Sequence, residues 1–587
     1  MNYKLKTTTD GDTKTSFKAA FSKMSSLLVG ERKNIIIALV AIVANATLTL
    51  FGPLIVGYTV DRYVETHQYS GVLMFGALLL VIYLIAFVAS YIQIRVMGQV
   101  GQRTLFRLRN AVFLRLQQLP VSFFNQNKAG DLISRINNDT DKLNNFFSQT
   151  LMQFASNAFI IIGAAIFILA INIRLGAAAL APALVLFALT QIISAWVKSV
   201  NVRSLRAEGA MSSEIQESLN NFKVVVAFNR RDYFKKRFAE ANKENFSTSV
   251  IAGLANGIFG PVYDFASNLA QLIVLIYGIY LIIHGRLAIG LLISFLLYIA
   301  RFYDPLRQFA SLWSSLQVAL AGWDRISEIL SLDSDLVVVP STKTVEAGTS
   351  IMRFEHVSFR YPEGKDVLKE VNFDLERGKI YALVGPTGGG KTTTASLIAR
   401  LFDPTEGTIY LSGQDIRSYT DEDKAKKIGF ILQEPFIFSG TVRDNILYGS
   451  GSYSELTNEE LLALLRNEGL EDLVTRFEKG LDTEVSSNSE TLSLGERQLI
   501  AFIRAVLRRP EILILDEATA NIDTVTEELL ETILKKLPKE TSLVIIAHRL
   551  NTIERADEIF FVNGGTITPA GSMEHAVEML LHSKRQS

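Results

Sequence analysis

Six stretches of the chain, residues 34–60, 71–95, 149–171, 174–197, 259–284 and 286–309, are long and apolar enough to cross a lipid bilayer. A spanning helix needs about 20 mostly apolar residues, because the hydrocarbon layer is about 30 Å thick and a helix rises about 1.5 Å per residue. Inside that layer every backbone N–H and C=O must be satisfied within the protein, which restricts runs of this length to helices. Buried helices of a soluble core are the alternative. Six such runs in series, with little amphipathic patterning, argue against it. The last two carry the weakest signal, since Asn256, Pro261, Asp264, Arg301, Asp304 and Pro305 lie at or inside them. Hydrophobic residues make up 49% of the 587 residues, which also points to membrane spans.

The connections alternate in length. Those at 61–70, 172–173 and near 285 are short, whereas 96–148 and 198–258 are long. Both long ones are basic, with Arg103, Arg107, Arg109, Arg115 and Arg135 in the first and Arg203, Arg206, Arg230, Arg231, Lys235 and Lys236 in the second. Lys14, Lys18, Lys23, Arg32 and Lys33 precede the first span. The positive-inside rule places all three regions in the cytoplasm and the short loops outside. The long segments read as helices that run on beyond the bilayer and turn at "QQLPVSFFNQNKAGDL" and "ESLNNFKVV". Phe17, Phe21, Met24 and Leu28 recur at helical spacing with lysines between, which fits a helix lying in the cytoplasmic interface; an amphipathic core helix is the alternative. No apolar h-region with a small-residue cleavage site opens the chain, so a removed secretory signal is not expected. A polar, Pro- and Gly-containing stretch ends the apolar half. The expected organisation is a cytoplasmic N-terminus at 1–30, a membrane domain at 31–330, a linker at 331–349 and a second domain at 350–587.

The second half changes to short β-rich runs, Gly turns and charged helices. The formal net charge is zero, so there is no electrostatic case for nucleic acid. The absence of cysteine excludes disulfides and thiolate metal sites. "LVGPTGGGKTTT" (383–394) contains G-x-x-x-x-G-K-[ST] in full, after the strand-like "KIYALV" and before a helical run. In that context glycines let backbone N–H groups converge on phosphate oxygens, and the helix N-terminus adds a favourable dipole. Lys391 is expected on the β- and γ-phosphates and Thr392 on Mg²⁺. "ILILDE" reads as a buried strand ending in Asp516, expected to support Mg²⁺, and Glu517, placed to polarise an attacking water. A strand with two solvated acids at its end is the alternative. "SLVIIAH" ends at His548, where a parallel sheet collects ligands, so His548 is a candidate γ-phosphate sensor as well as an ordinary structural histidine.

Taken together these motifs resemble the ATP-binding cassette superfamily, in its exporter form with six spans fused to one nucleotide-binding domain. The resemblance covers essentially the whole chain: "FRYP", the phosphate loop, "ILQEP", the signature "LSLGERQ", "ILILDE" and "AHRL" follow in order. "FFNQNKAGDLISRINND" resembles the family's first intracellular loop and "WDRISEIL" its exit from the last span. The implied fold is an all-α six-helix membrane domain of the type IV exporter class joined to an α/β P-loop cassette. The resemblance further implies that Tyr361 stacks on adenine and that Gly385, Pro386, Thr387, Gly388, Gly389, Gly390, Lys391, Thr392 and Thr393 hold ATP. Asp523 belongs to the same site. Gln433 takes part in catalysis, contacts Mg²⁺ together with Thr392 and Asp516, and couples nucleotide state to the intracellular loops; Glu517 and His548 are the other catalytic residues. Ser493 and Gly495 would complete the ATP site of a second half-transporter, so the chain is expected to dimerise. The breaks around 121–131 and 217–224 are the expected coupling helices. A hydrophobic or amphipathic small molecule or lipid would be exported across the bacterial cytoplasmic membrane, with ATP and Mg²⁺ as cofactors, in contact with membrane lipids.

The signature departs from the family's L-S-G-G-Q at Leu494 and Glu496, and "SSNSE" follows Thr483-Glu484-Val485 where many exporters carry glycines and an arginine. That combination resembles the catalytic-glutamate subunit of bacterial heterodimeric multidrug exporters, with one active and one degenerate site. A homodimer with two equivalent sites is the alternative, because every catalytic residue is present. A soluble cassette ATPase is disfavoured by the spans, an importer by the fusion, a channel or receptor regulator by Glu517 and His548, and a peptide-processing exporter by the lack of cysteine. For the cargo, Asp264, Arg301 and Asp304 are cavity groups, or a mutual salt bridge, or lie in the cytoplasmic stalk beyond the bilayer. Phe259, Tyr263, Phe295, Tyr298 and Phe302 either line an apolar drug or lipid site or pack against lipid or neighbouring helices.

Overall fold

In the computed structural model, residues 3–5, 29–340, 348–362, 364–433, 435–453, 455–486, 492–516, 524–535, 537–547 and 553–586 are described. The chain divides into two compact units. One comprises Lys6–Leu116 and Gly130–Ser331; the other comprises Met1–Leu5, Gln117–Ala129 and Leu332–Ser587. The expected interfacial helix with Phe17, Phe21, Met24 and Leu28 lies outside the described residues.

The first unit is helical. Among the described residues six helices are long and apolar enough to span a membrane: Arg32–Val64, Tyr69–Gln117, Ala129–Ile171, Ile173–Asn220, Arg231–Ile283 and Ile289–Leu330. Their spacing in the chain follows the apolar runs. The sixth begins at Ile289 rather than 286 because Gly285, at φ 68°, closes the fifth helix, with Arg286 N–H bonded to Leu281 O at 2.8 Å. The hairpin between spans three and four is a single capping residue, Asn172, whose Oδ1 accepts from Arg174 N and Leu175 N, both at 3.1 Å. The 49 residues of Tyr69–Gln117 extend about 70 Å, more than twice a bilayer's hydrocarbon, so the second span runs far beyond it. The short helix at the turn of the second long connection is Phe222–Ala227. It starts later than the sequence break suggests, because the fourth span continues to Asn220.

Tyr263, Phe295, Tyr298 and Phe302 are buried in one core cluster of this unit, so they pack between helices. Asp264 pairs with Arg307 at 3.4 Å, a partner the sequence reading did not name, while Arg301 and Asp304 are exposed. The first and sixth spans meet at the end carrying the short loops. Gly290 N–H donates to Asp61 Oδ1 at 2.5 Å, Ser294 Oγ to Pro53 O at 2.8 Å and Tyr298 OH to Leu50 O at 2.6 Å. The three donors stand one helical turn apart. Small residues permit this approach: a Cβ on Gly290 would lie 2.0 Å from Gly57 O. Gly290→Ala is therefore expected to destabilise the protein by about 1–3 kcal/mol. Gly76→Ala, where nothing lies within 4 Å of the added methyl, should cost far less. Thermal unfolding of the two variants in the same lipid compares them, and equal Tm values would show that the close approach contributes nothing.

A second polar feature joins the third and sixth spans. Arg135 and Asp139, both fully buried, bracket a π-helical turn, which puts them on one face. Arg135 Nε meets Asp131 Oδ2 at 2.9 Å, and one terminal nitrogen meets Glu328 Oε2 and Arg325 O, both at 2.7 Å. Arg325 pairs with Asp131 and lies 3.3 Å from Asp139 Oδ2, while Lys142 Nζ bonds Asp139 Oδ1 at 2.8 Å. Three cations thus face three carboxylates.

The second unit contains the β-sheets. Its strands are β1 (Ser350–Arg360), β2 (Asp366–Glu376), β3 (Ile380–Val384), β4 (Glu406–Leu411), β5 (Gln414–Asp415), β6 (Ile428–Ile431), β7 (Gly440–Thr441), β8 (Glu484–Val485), β9 (Ile512–Asp516), β10 (Ser542–Ile546), β11 (Glu558–Asn563) and β12 (Thr566–Pro569). An antiparallel sheet has the order β2-β1-β4-β5, and a larger sheet has the order β12-β11-β3-β10-β9-β6. β3, β9 and β10 carry unbroken apolar runs at 380–384, 512–515 and 543–546 because parallel strands are covered on both faces.

Candidate functional site: an ATP-binding cassette

Three parallel strands deliver the site. β10 lies between β3 and β9, and Ile546 is level with both Leu383 and Asp516. The phosphate loop follows β3 directly. Asp516 therefore stands two strands away on the same rim, about 10 Å across the sheet at about 4.8 Å per strand. The helix Lys391–Ile398 opens on Gly390, whose φ of 113° is open to glycine at little cost. Gly389 is fixed for another reason: a Cβ there would lie 2.5 Å from Val562 O. Lys391 is 6% exposed, and its ammonium donates to Gly385 O at 2.8 Å and Pro386 O at 3.0 Å. The ammonium is thus held inside the loop at the helix's positive end.

Tyr361 lies beside the same helix. Its hydroxyl lies 3.1 Å from Thr393 Oγ1, and its ring packs edge-on against Phe359 and Phe402. Thr392 is exposed at the start of the helix. With Asp516 it offers oxygen donors, the type that Mg²⁺ takes, so these residues fit that ion. Gln433 is exposed two residues beyond β6, the strand that pairs with β9. Glu517, Asp523 and His548 lie outside the described residues.

Ser493 caps the helix Leu494–Leu507, and Gly495 is buried in its first turn. The cap is reciprocal. Ser493 N–H and Oγ contact Glu496 Oε2 at 2.7 and 2.9 Å, and Glu496 N–H donates back to Ser493 Oγ at 3.2 Å. Sequence reading noted Glu496 only as a departure from a motif; the S-x-x-E spacing was the available signal for the cap. It missed Arg504 on the same helix. Arg504 Nε donates to Asn445 O at 2.8 Å, another of its nitrogens donates to Phe436 O at 3.2 Å, and the guanidinium lies over Phe438 and Tyr448. It ties the capped helix to the segment that follows Gln433. No local sequence signal marks it, because its partners lie about sixty residues away.

The family model for the ABC transporter transmembrane region matches residues 35–306, and the ABC transporter model matches residues 368–520. The ABC transporter ATP-binding protein YfiC of Bacillus subtilis (strain 168) is 31% identical over 569 residues, covering 95% of this chain and 92% of that one. The chain belongs to the ABC transporter family. Other relatives of this ABC transporter include an ATP-dependent lipid A-core flippase of Syntrophus aciditrophicus (strain SB), 31% identical over 85% of this chain and 84% of that one. A multidrug resistance ABC transporter ATP-binding and permease protein of Lactococcus lactis subsp. lactis (strain IL1403) is 30% identical over 85% of this chain and 84% of that one. Six spans and one cassette on a single chain make an ABC exporter half-transporter, a multi-pass membrane protein that binds ATP and couples its hydrolysis to transport. As a half-transporter it works with a second half.

Proposed function

We propose that this ABC half-transporter is the catalytic-glutamate subunit of a heterodimeric exporter of drugs or lipids in the bacterial cytoplasmic membrane. The observation that carries the heterodimer is the Ser493 cap. Glu496 places a carboxylate 2.9 Å from the hydroxyl that would meet the γ-phosphate at the partner's site. Like charge there weakens nucleotide binding or turnover at that site. Glu517 then serves the one strong site, completed by the partner's signature. Tyr361 stacks on adenine; Gly385 to Gly390 cradle the phosphates; Lys391 binds their outer oxygens; Thr392, Asp516 and Gln433 hold Mg²⁺. Bound Mg²⁺ neutralises charge that develops on the transferred phosphoryl group. Glu517 takes the proton of the attacking water, His548 senses the γ-phosphate, and Thr393 and Asp523 complete the pocket. Closure of the paired cassettes opens the spans outward and breaks the Asp61–Gly290 contact; hydrolysis resets them.

For the cargo, the relatives named for lipids and for drugs support an apolar or amphipathic substrate. A recess of about 370 Å³ between the third and sixth spans supports the amphipathic choice, because Lys142, Gln149, Thr150, Ser314 and Ser315 line it beside Phe146. Such a lining suits a polar head group.

Oligomeric mass and ATPase rate of this chain purified alone in lipid nanodiscs, with Glu517→Gln as control, test the heterodimer. Monomers or inactive material are expected. A stable dimer with turnover abolished by Glu517→Gln would make it a homodimer with two equivalent sites.

A further inference from the structure

The cassette-bearing unit joins the spans covalently at four points, after residues 5, 116, 129 and 331. Any nucleotide-driven movement carried by the chain itself leaves the unit at one of them. Three of the four lie within a few residues of one cluster built on Tyr3. Tyr3 and Leu5 are buried and Lys4 between them is exposed, the alternation of a short extended segment. Tyr3 N–H donates to Gln126 Oε1 at 2.8 Å, and Leu5 N–H to Asn127 Oδ1 at 3.0 Å. The Asn127 amide returns two bonds, to Tyr3 O at 2.9 Å and Phe123 O at 2.8 Å. The Tyr3 ring, 1% exposed, stands edge-on to Phe123, which is fully buried in the short helix Val121–Gln126.

The other end of Tyr3 grips the chain leaving the sixth span. Its hydroxyl donates to Asp333 O at 3.0 Å and accepts from Asp335 N–H at 2.8 Å. Burial and the carboxylates of Asp335 and Asp333 push this phenol up to about 12, so it keeps its proton and its donor role at neutral pH. Two residues further, Val337 O accepts from Arg400 at 3.0 Å. Arg400 is 3% exposed and stands just beyond the phosphate-loop helix. Its remaining nitrogens bond Asp403 Oδ1 at 3.0 Å, Ile416 O at 3.2 Å and Tyr419 O at 3.1 Å. Val339 N–H is held by Arg417 O at 3.0 Å. A continuous path of hydrogen bonds and short chain segments, anchored on the buried Tyr3 and Arg400, therefore runs from the end of the phosphate-loop helix through residues 333–339 to the helix Val121–Gln126.

We propose that Tyr3 and Arg400 are positioning residues of a relay that makes the phosphate-loop helix, residues 333–339 and the helix Val121–Gln126 move as one body when nucleotide binds. The relay rests on the alternating-access reading above. Connectivity alone does not establish coupling; what does is a two-state element that both ends bias. The spans supply that element, and the native chain has no cysteine, so spin labels are easily placed. The test uses the assembled full-length transporter in nanodiscs, labelled at Gln68→Cys and Arg286→Cys, two exposed positions near the Asp61–Gly290 contact. In the otherwise native protein, MgATP with vanadate should lengthen the distance between labels; no change would overturn alternating access, and this relay with it.

Given that change, Tyr3→Phe keeps the ring on Phe123 and removes only the bridging hydroxyl. It should lower the odds of the lengthened state at saturating nucleotide by about fivefold or more, the usual scale of allosteric coupling. Tm and nucleotide affinity at the cassette should shift little. Arg400→Lys should do the same, and combining the two should add little, because both cut one route. Odds within twofold of the native protein in both single variants would overturn the relay. A lowered Tm with unchanged odds would overturn it too, leaving Tyr3 a merely structural residue.

Discussion

Alanine in place of Lys391 is expected to cut ATP hydrolysis by the assembled transporter about 100-fold or more, the scale for removing a preorganised charge at a developing anion. The side chain is nearly fully buried, and its ammonium bonds two carbonyls of its own loop, 2.8 and 3.0 Å away. Those carbonyls hold the charge at the head of the helix before phosphate arrives, so little reorganisation is needed when it does. Arginine is no substitute: a planar fork cannot occupy a loop shaped around a compact ammonium. Lys391→Arg should therefore also fall well below the native rate. Phosphate release measured alongside nucleotide binding checks this. Native turnover in Lys391→Ala would mean that hydrolysis does not use this chain's phosphate loop, and would hand catalysis to the partner.

Arg135→Met should be the most damaging change in the membrane unit. The guanidinium is fully buried and serves Asp131, Glu328 and the Arg325 carbonyl at once. Removing it leaves carboxylates facing one another with one cation fewer, among them Asp139, which is fully buried. Breaking such a pair typically costs 3–5 kcal/mol. Asp131 is 40% exposed, so water shares its charge and the lower end, about 3 kcal/mol, is expected. For a unit of this size that is a fall in Tm of roughly 5 °C. Arg135→Lys should recover only part, since one ammonium cannot reach carboxylates on both helices in the forked geometry. Thermal unfolding in detergent or nanodiscs measures both, and a Tm within about 2 °C of native for Arg135→Met would show that the network contributes no net stability.

Much of this protein was legible in the chain because the signals are local. A run of apolar residues has few ways to satisfy its backbone in hydrocarbon, so each span is specified by its own composition. The phosphate loop is likewise a local object: strand, glycine turn and helix start adjoin in sequence, and Lys391 and Thr392 take their positions from those few residues. Tyr361 was found only through a resemblance, and the structure brings it to Thr393 across thirty-two residues.

What the chain did not disclose depends on partners far apart in sequence. Arg135 reads as one of many basic residues in a long cytoplasmic segment; only the packing of the third span against the sixth buries it beside Glu328. A mutual salt bridge with the charges of the sixth span was one reading of Asp264, but its partner there is Arg307, six residues beyond Arg301. Arg504 finds its partners only when the capped helix packs beside the segment after Gln433. Tyr3 lies in a polar, unpatterned stretch, and its bonds reach residues more than 120 positions away. The sequence by itself determined the spans, the phosphate loop and the order of the cassette motifs, since short stretches of backbone and composition specify them. The tertiary structure alone decided which charges are buried, which helices close on one another and what ties the helix Val121–Gln126 to the phosphate-loop segment, because burial and pairing are properties of surfaces that exist only after packing.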